Sequence, residues 1–314
     1  MQQYLQVIRD VLSRGTRKEN RTGVDTLSTF GLHYDVDLRD GFPLLTTKRM
    51  PWKSVVMENL WFLSGASDID FLRKHGITFW DPWADENGRI PSAYGSFWRH
   101  FPVHTPSGQP GVRDQVAWVL EELRRNPMSR RLVISAWAPG NAMTSALPPC
   151  HLLFIFNVQN EPCRCVCHLS NNIILHDRAC CNNGTERVLN LHLTQRSCDV
   201  TLGLPFNLAG YAFLLELFSR FSGLTAGRFS HTLVDAHIYT SKPDGSMAEY
   251  DHVPGLQEQL QREPLKLPKL AISNNIRSLE DVEKLYDADA GTIMSKFTLI
   301  GYDAHPGIQF RVAV

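Results

Sequence analysis

"LPPCHLLFIFNV", residues 147–158, sets a cysteine and a histidine behind two prolines at the mouth of an apolar run. The run HLLFIFNV is rich in β-favouring residues and free of glycine and proline, so it predicts a strand over 151–158. Cys150 just before it is a candidate nucleophile, although a free cysteine is also a common small core residue. In a strand, successive side chains point to opposite faces, so His151 is not the base of a simple Cys–His pair. Nearby cationic charge is the alternative means of lowering the thiol's pKa.

Outward from this run, further strands are expected over RRLVISAWA (130–138), RVLNLHLTQRS (187–197) and RFSHTLVDAHIY (228–239). Helical periodicity marks 2–14, where Tyr4, Leu5, Ile8, Val11 and Leu12 share a stripe that Gly15 ends. Residues 53–65, 116–127 and 207–223 follow the same pattern, the last apolar on most faces and so central. Helices and strands do not alternate one for one, which predicts an α+β class. No repeat or low-complexity linker divides the 314 residues, so a single domain spanning 1–314 is expected.

Lys plus Arg and Asp plus Glu both total 32, which argues against a broad nucleic-acid or acidic-membrane surface. No apolar run has membrane-spanning length, and MQQYLQVIRDVLSRG lacks the apolar block of a signal peptide, which predicts a cytoplasmic chain. Seven cysteines, an odd count without an export signal, favour reduced thiols.

Any anion must then be met by local arginines. Arg130 and Arg131 open one apolar strand and Arg196 closes another; guanidinium groups there need an anionic partner, and phosphate fits their fork best. Asn207 in GLPFNLAGY is either a helix N-cap or an amide able to read the donor and acceptor of a uracil-like edge. His237 and Tyr239 in DAHIY share a strand face and suit a sugar hydroxyl. Glu58, inside VVMENLWFL, is either solvated on the helix's outer side or a buried acid of raised pKa.

These stretches resemble the folate-dependent, cysteine-using thymidylate synthase family. The likeness runs in order through NRTG (20–23), GFPLLTTKR (41–49), WDPWADENG (80–88), SAYGSFWR (92–99), SRRLVISAW (129–137), LPPCH (147–151), TQRSCDVTLGLPFNLAGYA (194–212), DAHIY (235–239), REPLKLPKL (262–270) and GYDAHPGIQFRVAV (301–314). The resemblance implies a mixed β-sheet with packed helices, one sheet face forming a homodimer interface, and a pyrimidine nucleotide and 5,10-methylenetetrahydrofolate as co-substrates with no metal. It implies that Cys150 adds to C6 of dUMP. Arg21, Arg196 and Ser197 would hold the 5′-phosphate, with Arg130 and Arg131 reaching across from the second subunit. Asn207 would read the base, and His237 with Tyr239 the 3′-hydroxyl. Glu58 would organise proton transfers at O4 together with His151, and Tyr94 would assist removal of the C5 proton. Asp199 would serve both chemistry and cofactor binding. Trp80, Trp83, Leu147, Gly203 and Phe206 would line the folate pocket, Lys48 would lie near the glutamate tail, and Val312, Ala313 and Val314 would close over the complex.

Some positions depart from the family's usual residues: Thr194 for tyrosine, Ile155 for glutamine, Ala138 for asparagine, and Ala304 and Arg311 for prolines. Those in the tail bear on water exclusion. A related family captures the same intermediate with water, so a (d)UMP or (d)CMP 5-hydroxymethylase is the alternative reading. A nucleotide- or RNA-binding paralogue with weak catalysis is the second. Asn207 favours uracil over cytosine, for which a carboxylate suits the exocyclic amine better.

Residues 159–183 form a Cys-rich insert that reads as an extended hairpin connection. Cys163, Cys165 and Cys167 alternate, and with His168, Cys180 and Cys181 they offer a zinc set, against which stand the unusual spacing and the adjacent pair; a reduced hairpin is the simpler expectation.

Overall fold

Strands from both ends of the chain meet in one mixed sheet. In the computed structural model its members are β1 (Thr16–Lys18), β2 (Asp25–Asp37), β3 (Val133–Ser135), β4 (His151–Pro162), β5 (Thr185–Gln195), β6 (Cys198–Asp199) and β7 (Thr225–Thr240). The order is β1-β2-β7-β5-β4-β3, with β6 beside β7. β7 runs parallel to β5 and β6, and the other pairings are antiparallel. The structure describes residues 1–105, 107–142, 147–164, 167–170, 173–176 and 184–313, without the side chains of 141–142, 167–170 and 173–176.

Helices α1 (Gln2–Arg14), α3 (Tyr94–Arg99), α4 (Gln115–Arg125), α5 (Gly203–Ser222) and α6 (Val253–Leu260) pack on the sheet, and α2 (Trp52–Ser64) packs on α3 and α5. Tyr4, Leu5, Ile8 and Val11 of the α1 stripe are buried and Leu12 is partly so, and the Gly15 N–H closes the helix on the Val11 carbonyl. α5 buries nearly its whole length, from Leu204 to Phe221, as its all-round apolar sequence demands. One core cluster runs from Tyr4 to Phe297.

Four differences from the sequence reading bear on the site. β2 was not foreseen: alternation is clean only over Leu32, Tyr34 and Val36, and before them stand an exposed Phe30 and Gly31 at φ 75°. β3 keeps only Val133–Ser135 of the expected 130–138, which leaves Arg130 and Arg131 outside it. α5 begins at Gly203, four residues before Asn207, because Asp199 Oδ1 accepts the N–H groups of Thr201 and Leu202 and Pro205 is tolerated in the first turn. Asn207 is therefore inside the helix and is not its N-cap. Finally, β4 extends to Pro162 and β5 starts at Thr185, so the strands continue into the insert, where Cys167–Ser170 pairs with Ile173–His176. Cys165, Cys180, Cys181 and Val314 lie outside the described residues, as do the side chains of Cys167 and His168. Among the described residues no helix is long and apolar enough to cross a membrane.

Candidate active site

The β4–β5 register shifts between His151 and Leu153, at the mouth of β4. A strictly alternating strand would put His151 and Phe154 on opposite faces. The shift lets both turn to the helix-covered side, where both rings meet Tyr211 of α5. Cys150 sits just outside the strand, half-buried. Its N–H donates to the Tyr94 hydroxyl at 2.8 Å, and its carbonyl accepts from the Arg196 N–H at 2.9 Å.

Burial pushes the Cys150 thiol above its ordinary pKa, while Arg196, Arg21 and a Tyr94 hydrogen bond pull it down. The arginines act in the expected direction, but burial outweighs them. Arg196 is locked in place: Nε donates to the Pro149 carbonyl at 3.0 Å, Nη2 to Pro148 at 2.7 Å, and the guanidinium lies over Trp137. The two prolines of the motif thus present carbonyls that aim a cation beside the thiol. Arg21 is exposed in a turn whose Asn20 side chain accepts from Thr22, and its charge acts on both Cys150 and Tyr239.

His151 stacks on Tyr94, with ring centroids 4.5 Å apart, and its Nδ1 lies 3.2 Å from the Tyr211 hydroxyl. Burial lowers its pKa to about 4, opposed by a hydrogen bond to Asn207, so the imidazole is neutral near pH 7. Burial raises Tyr94 far above the usual phenol range. Glu58 of α2 is the buried acid of the two readings: Trp80 Nε1 donates to its Oε1 at 2.8 Å, yet desolvation lifts its pKa to about 7. The acid, the neutral imidazole and the phenol are joined through rings, since Trp80 meets Tyr94 edge-on and Tyr94 stacks on His151.

On the other side of the cysteine, Asn207 Oδ1 accepts from Gln195 Nε2 at 3.1 Å, and the same amine donates to the Ser197 carbonyl. His237 and Tyr239 are half-buried on one face of β7, as alternation requires, with His237 Nδ1 held by Asp235 at 3.1 Å. Hydrogen bonds from His237 and Lys18 keep Asp235 well below the usual carboxylate range. Asp199 pairs with His237 across β6 and β7, and its Oδ1 accepts the N–H groups of Thr201 and Leu202 in the turn that leads into α5.

Trp83 meets Trp80 at 5.8 Å and Phe206 meets Phe79 at 5.6 Å, with Phe79 37% exposed: these rings offer a flat ligand a stacking surface. Leu147 is half-buried beside Ser92, whose hydroxyl donates to its carbonyl. A Cβ on Gly203 would meet only ordinary contacts with Asp199 and Asn207, so space does not explain this glycine. Lys48 is buried, donates to the Thr201 carbonyl at 2.7 Å and lies over the Phe310 ring; burial drops its pKa to about 8. The tail crosses here too. His252 Nε2 donates to the Arg311 carbonyl at 2.8 Å, and its ring packs between Tyr239 and Phe310. Val312 is half exposed and Ala313 partly buried.

Arg130 and Arg131 are not brought to Cys150 within this chain. Both are exposed, and among the described residues neither guanidinium has a hydrogen-bond or ion-pair partner. Tyr211, Gln195, His231, Trp137, Phe79 and His252 belong to the site or its support and were not singled out. Tyr211 and Gln195 fall inside a quoted motif, but only the three-dimensional packing reveals their contacts.

A sequence profile described as thymidylate synthase matches residues 2–314. A thymidylate synthase of Haloferax volcanii is 39% identical over 365 aligned positions, covering 98% of this chain and 95% of that relative. The chain belongs to the thymidylate synthase family. It is accordingly an enzyme, a one-carbon transferase of the methyltransferase type, and these matches favour thymidylate synthesis over hydroxymethylation and over nucleotide or RNA binding without catalysis.

Proposed function

We propose that this chain converts dUMP to dTMP with 5,10-methylenetetrahydrofolate, through addition of the Cys150 thiolate to C6 of the base. The observation that carries the reading is the setting of Cys150: its thiol shares one environment with two arginines and the Tyr94 hydroxyl. Addition makes C5 a carbon nucleophile, which is the usual gain from covalent catalysis. C5 then bonds to the folate's methylene as one of its two C–N bonds opens, and loses its proton; the second C–N bond breaks to release tetrahydrofolate, whose hydride adds to the methylene left on C5 as Cys150 departs, giving dTMP and dihydrofolate. Burial leaves the free thiol mostly protonated, so attack needs its proton removed as substrate settles.

Arg21, Arg196 and Ser197 hold the phosphate in this reading, and Asn207 meets the uracil N3–H and O4. His237 and Tyr239 take the 3′-hydroxyl. Glu58, poised between its two protonation states near pH 7, exchanges protons at O4, with neutral His151 beside it. Tyr94 assists the loss of the C5 proton. The folate supplies the one-carbon unit and the reducing hydride; Trp80, Trp83, Leu147 and Phe206 suit its flat pterin, Lys48 its carboxylate tail, and the C-terminal residues exclude water.

The half-buried outer face of β4, β5 and β7, with Leu153, Ile155, His192 and Thr232, supports a homodimer through the sheet. The unpartnered Arg130 and Arg131 support their donation to the second site. A cytoplasmic location and a single catalytic domain complete the reading. Incubation with dUMP and methylenetetrahydrofolate tests it: dTMP and dihydrofolate in equal amounts are expected, whereas hydroxymethyl-dUMP with tetrahydrofolate would refute methylation.

A further inference from the structure

Behind Asn207 lies a buried chain of three side chains. Gln195 Nε2 lies 2.9 Å from the Ser197 carbonyl and 3.1 Å from Asn207 Oδ1, Gln195 Oε1 lies 3.0 Å from His231 Nε2, and His231 Nδ1 lies 2.8 Å from the Tyr34 hydroxyl. Gln195 and His231 are fully buried, Tyr34 nearly so.

Donor and acceptor can be assigned at every link. A backbone carbonyl only accepts, so the Gln195 atom facing Ser197 must be the amine. That amine also faces Asn207, so the Asn207 atom opposite is its oxygen. The remaining Gln195 atom is a carbonyl oxygen, which requires a proton on His231 Nε2. Burial and the neighbouring His151, His192 and His33 hold His231 well below its ordinary pKa, so the ring is neutral and Nδ1 is bare. The Tyr34 hydroxyl, which meets the ring edge-on, therefore donates to Nδ1. The bonds all run one way: Tyr34 to His231 to Gln195 to Asn207.

This direction matters because an amide is two-faced. With Oδ1 accepting and Nδ2 donating, Asn207 matches the N3–H and O4 of uracil; turned end for end it would match the bare N3 and exocyclic amine of cytosine. Turning it demands that Gln195 turn as well. That would set Gln195 Oε1 against the Ser197 carbonyl and its amine against the protonated Nε2 of His231.

We propose that Tyr34 and His231 are positioning residues that fix the direction of the Asn207 amide, and so set the preference for a uracil over a cytosine nucleotide. The inference rests on the reading that Asn207 meets the base edge. Loss of the Tyr34 donor frees His231 to move its proton to Nδ1, and the amides behind it lose one of their two pins.

The test compares Tyr34→Phe with the unaltered enzyme by equilibrium binding of dUMP and dCMP, and by steady-state kinetics with dUMP. The dUMP-over-dCMP affinity ratio is expected to fall about 5-fold, the worth of one hydrogen bond. KM for dUMP should rise by a similar factor, while kcat changes less than about 2-fold. Equal weakening of both nucleotides, or an unchanged ratio, would overturn the proposal. Nitrogen-15 resonances of the unaltered protein give a second reading, in which His231 must show a protonated Nε2 and a bare Nδ1; the opposite tautomer would also overturn it. Asn207→Asp separates the layers. If that variant leaves the ratio unmoved, Asn207 does not read the base and the underlying assignment fails; if it moves the ratio and Tyr34→Phe does not, only the relay fails.

Discussion

Trp80 Nε1 donates to Glu58 Oε1 at 2.8 Å, and this bond ties a carboxyl buried in α2 to the aromatic wall beside Tyr94. A hydrogen bond from an indole favours the ionised acid, but burial costs more, and the pKa rises to about 7. An acid so placed gives or takes a proton near neutral pH with little driving force lost either way.

Glu58 also sets a stability trend. Below its ordinary pKa of 4.5 the carboxyl is protonated in both folded and unfolded chains. As pH rises the unfolded chain ionises first, so stability falls until the folded carboxyl titrates near 7, a loss of roughly 3 kcal/mol. Glu58→Gln removes that loss while Gln can still accept from Trp80. Urea unfolding at pH 5 and pH 8 should show the variant gaining about 2–3 kcal/mol relative to the unaltered chain across this interval. Parallel pH dependences would show that Glu58 is not desolvated. Turnover should fall about 100-fold or more with the loss of a proton carrier.

The thiol answers to Arg196. Removing its charge in Arg196→Ala should push the Cys150 pKa further up, since burial then acts against Arg21 alone among the cations. Alkylation by iodoacetamide at pH 8 should slow several-fold, roughly in step with the thiolate fraction. Arg196→Lys keeps a charge but cannot span the Pro148 and Pro149 carbonyls with a fork, so its rate should fall between the two. An unchanged rate in Arg196→Ala would remove arginine from the activation of Cys150.

Much of this site was legible because chemistry leaves local marks. Cys150 behind two prolines, Arg196 at the end of an apolar strand, and His237 two residues from Tyr239 are visible as residue types in short windows. The helix stripe of α1 was visible for the same reason, through its 3.6-residue period, whereas α2 buries every residue from Val55 to Leu63. What stayed hidden depends on contacts between distant segments. Glu58 looks alike whether its helix turns it outward or inward, and only Trp80, 22 residues on, decides that it is a buried acid. The register shift at Leu152, which turns His151 toward Tyr211, depends on pairing with β5. Strand β2 was missed because Gly31 and Phe30 break its alternation, although pairing with β7 holds it over twelve residue pairs.

The tail should be separable from the nucleotide site. A Cβ on Gly255 would lie 2.5 Å from Phe310 Cε1, so Gly255→Ala must displace the Phe310 ring, which is flanked by Lys48 and His252. Gly255→Ala should therefore speed carboxypeptidase digestion of the C-terminus and lower kcat about 10-fold, as expected when closure over a site is impaired. dUMP affinity should change far less, because Asn207 and the arginines proposed to hold the phosphate lie on other elements. Equal loss of nucleotide binding would show that the tail and the nucleotide site are one unit.

Arg130 and Arg131 give the sharpest test of the proposed dimer. They stand exposed beside β3 without partners among the described side chains, while Cys150 has Arg21 and Arg196 from its own chain. If the pair completes the neighbouring subunit's phosphate site, Cys150→Ser and the double variant Arg130→Ala, Arg131→Ala are each nearly inactive alone, for different reasons. Random exchange of equal amounts makes half of the dimers mixed. In each mixed dimer, one of the two sites has a native cysteine and receives native arginines from the other chain, so activity should recover to about a quarter of the unaltered level. A mixture that stays at the sum of its inactive parts, after exchange is verified by mass, would place the arginines in their own subunit's site or outside catalysis altogether. In the second case the phosphate would rest on Arg21, Arg196 and Ser197 alone.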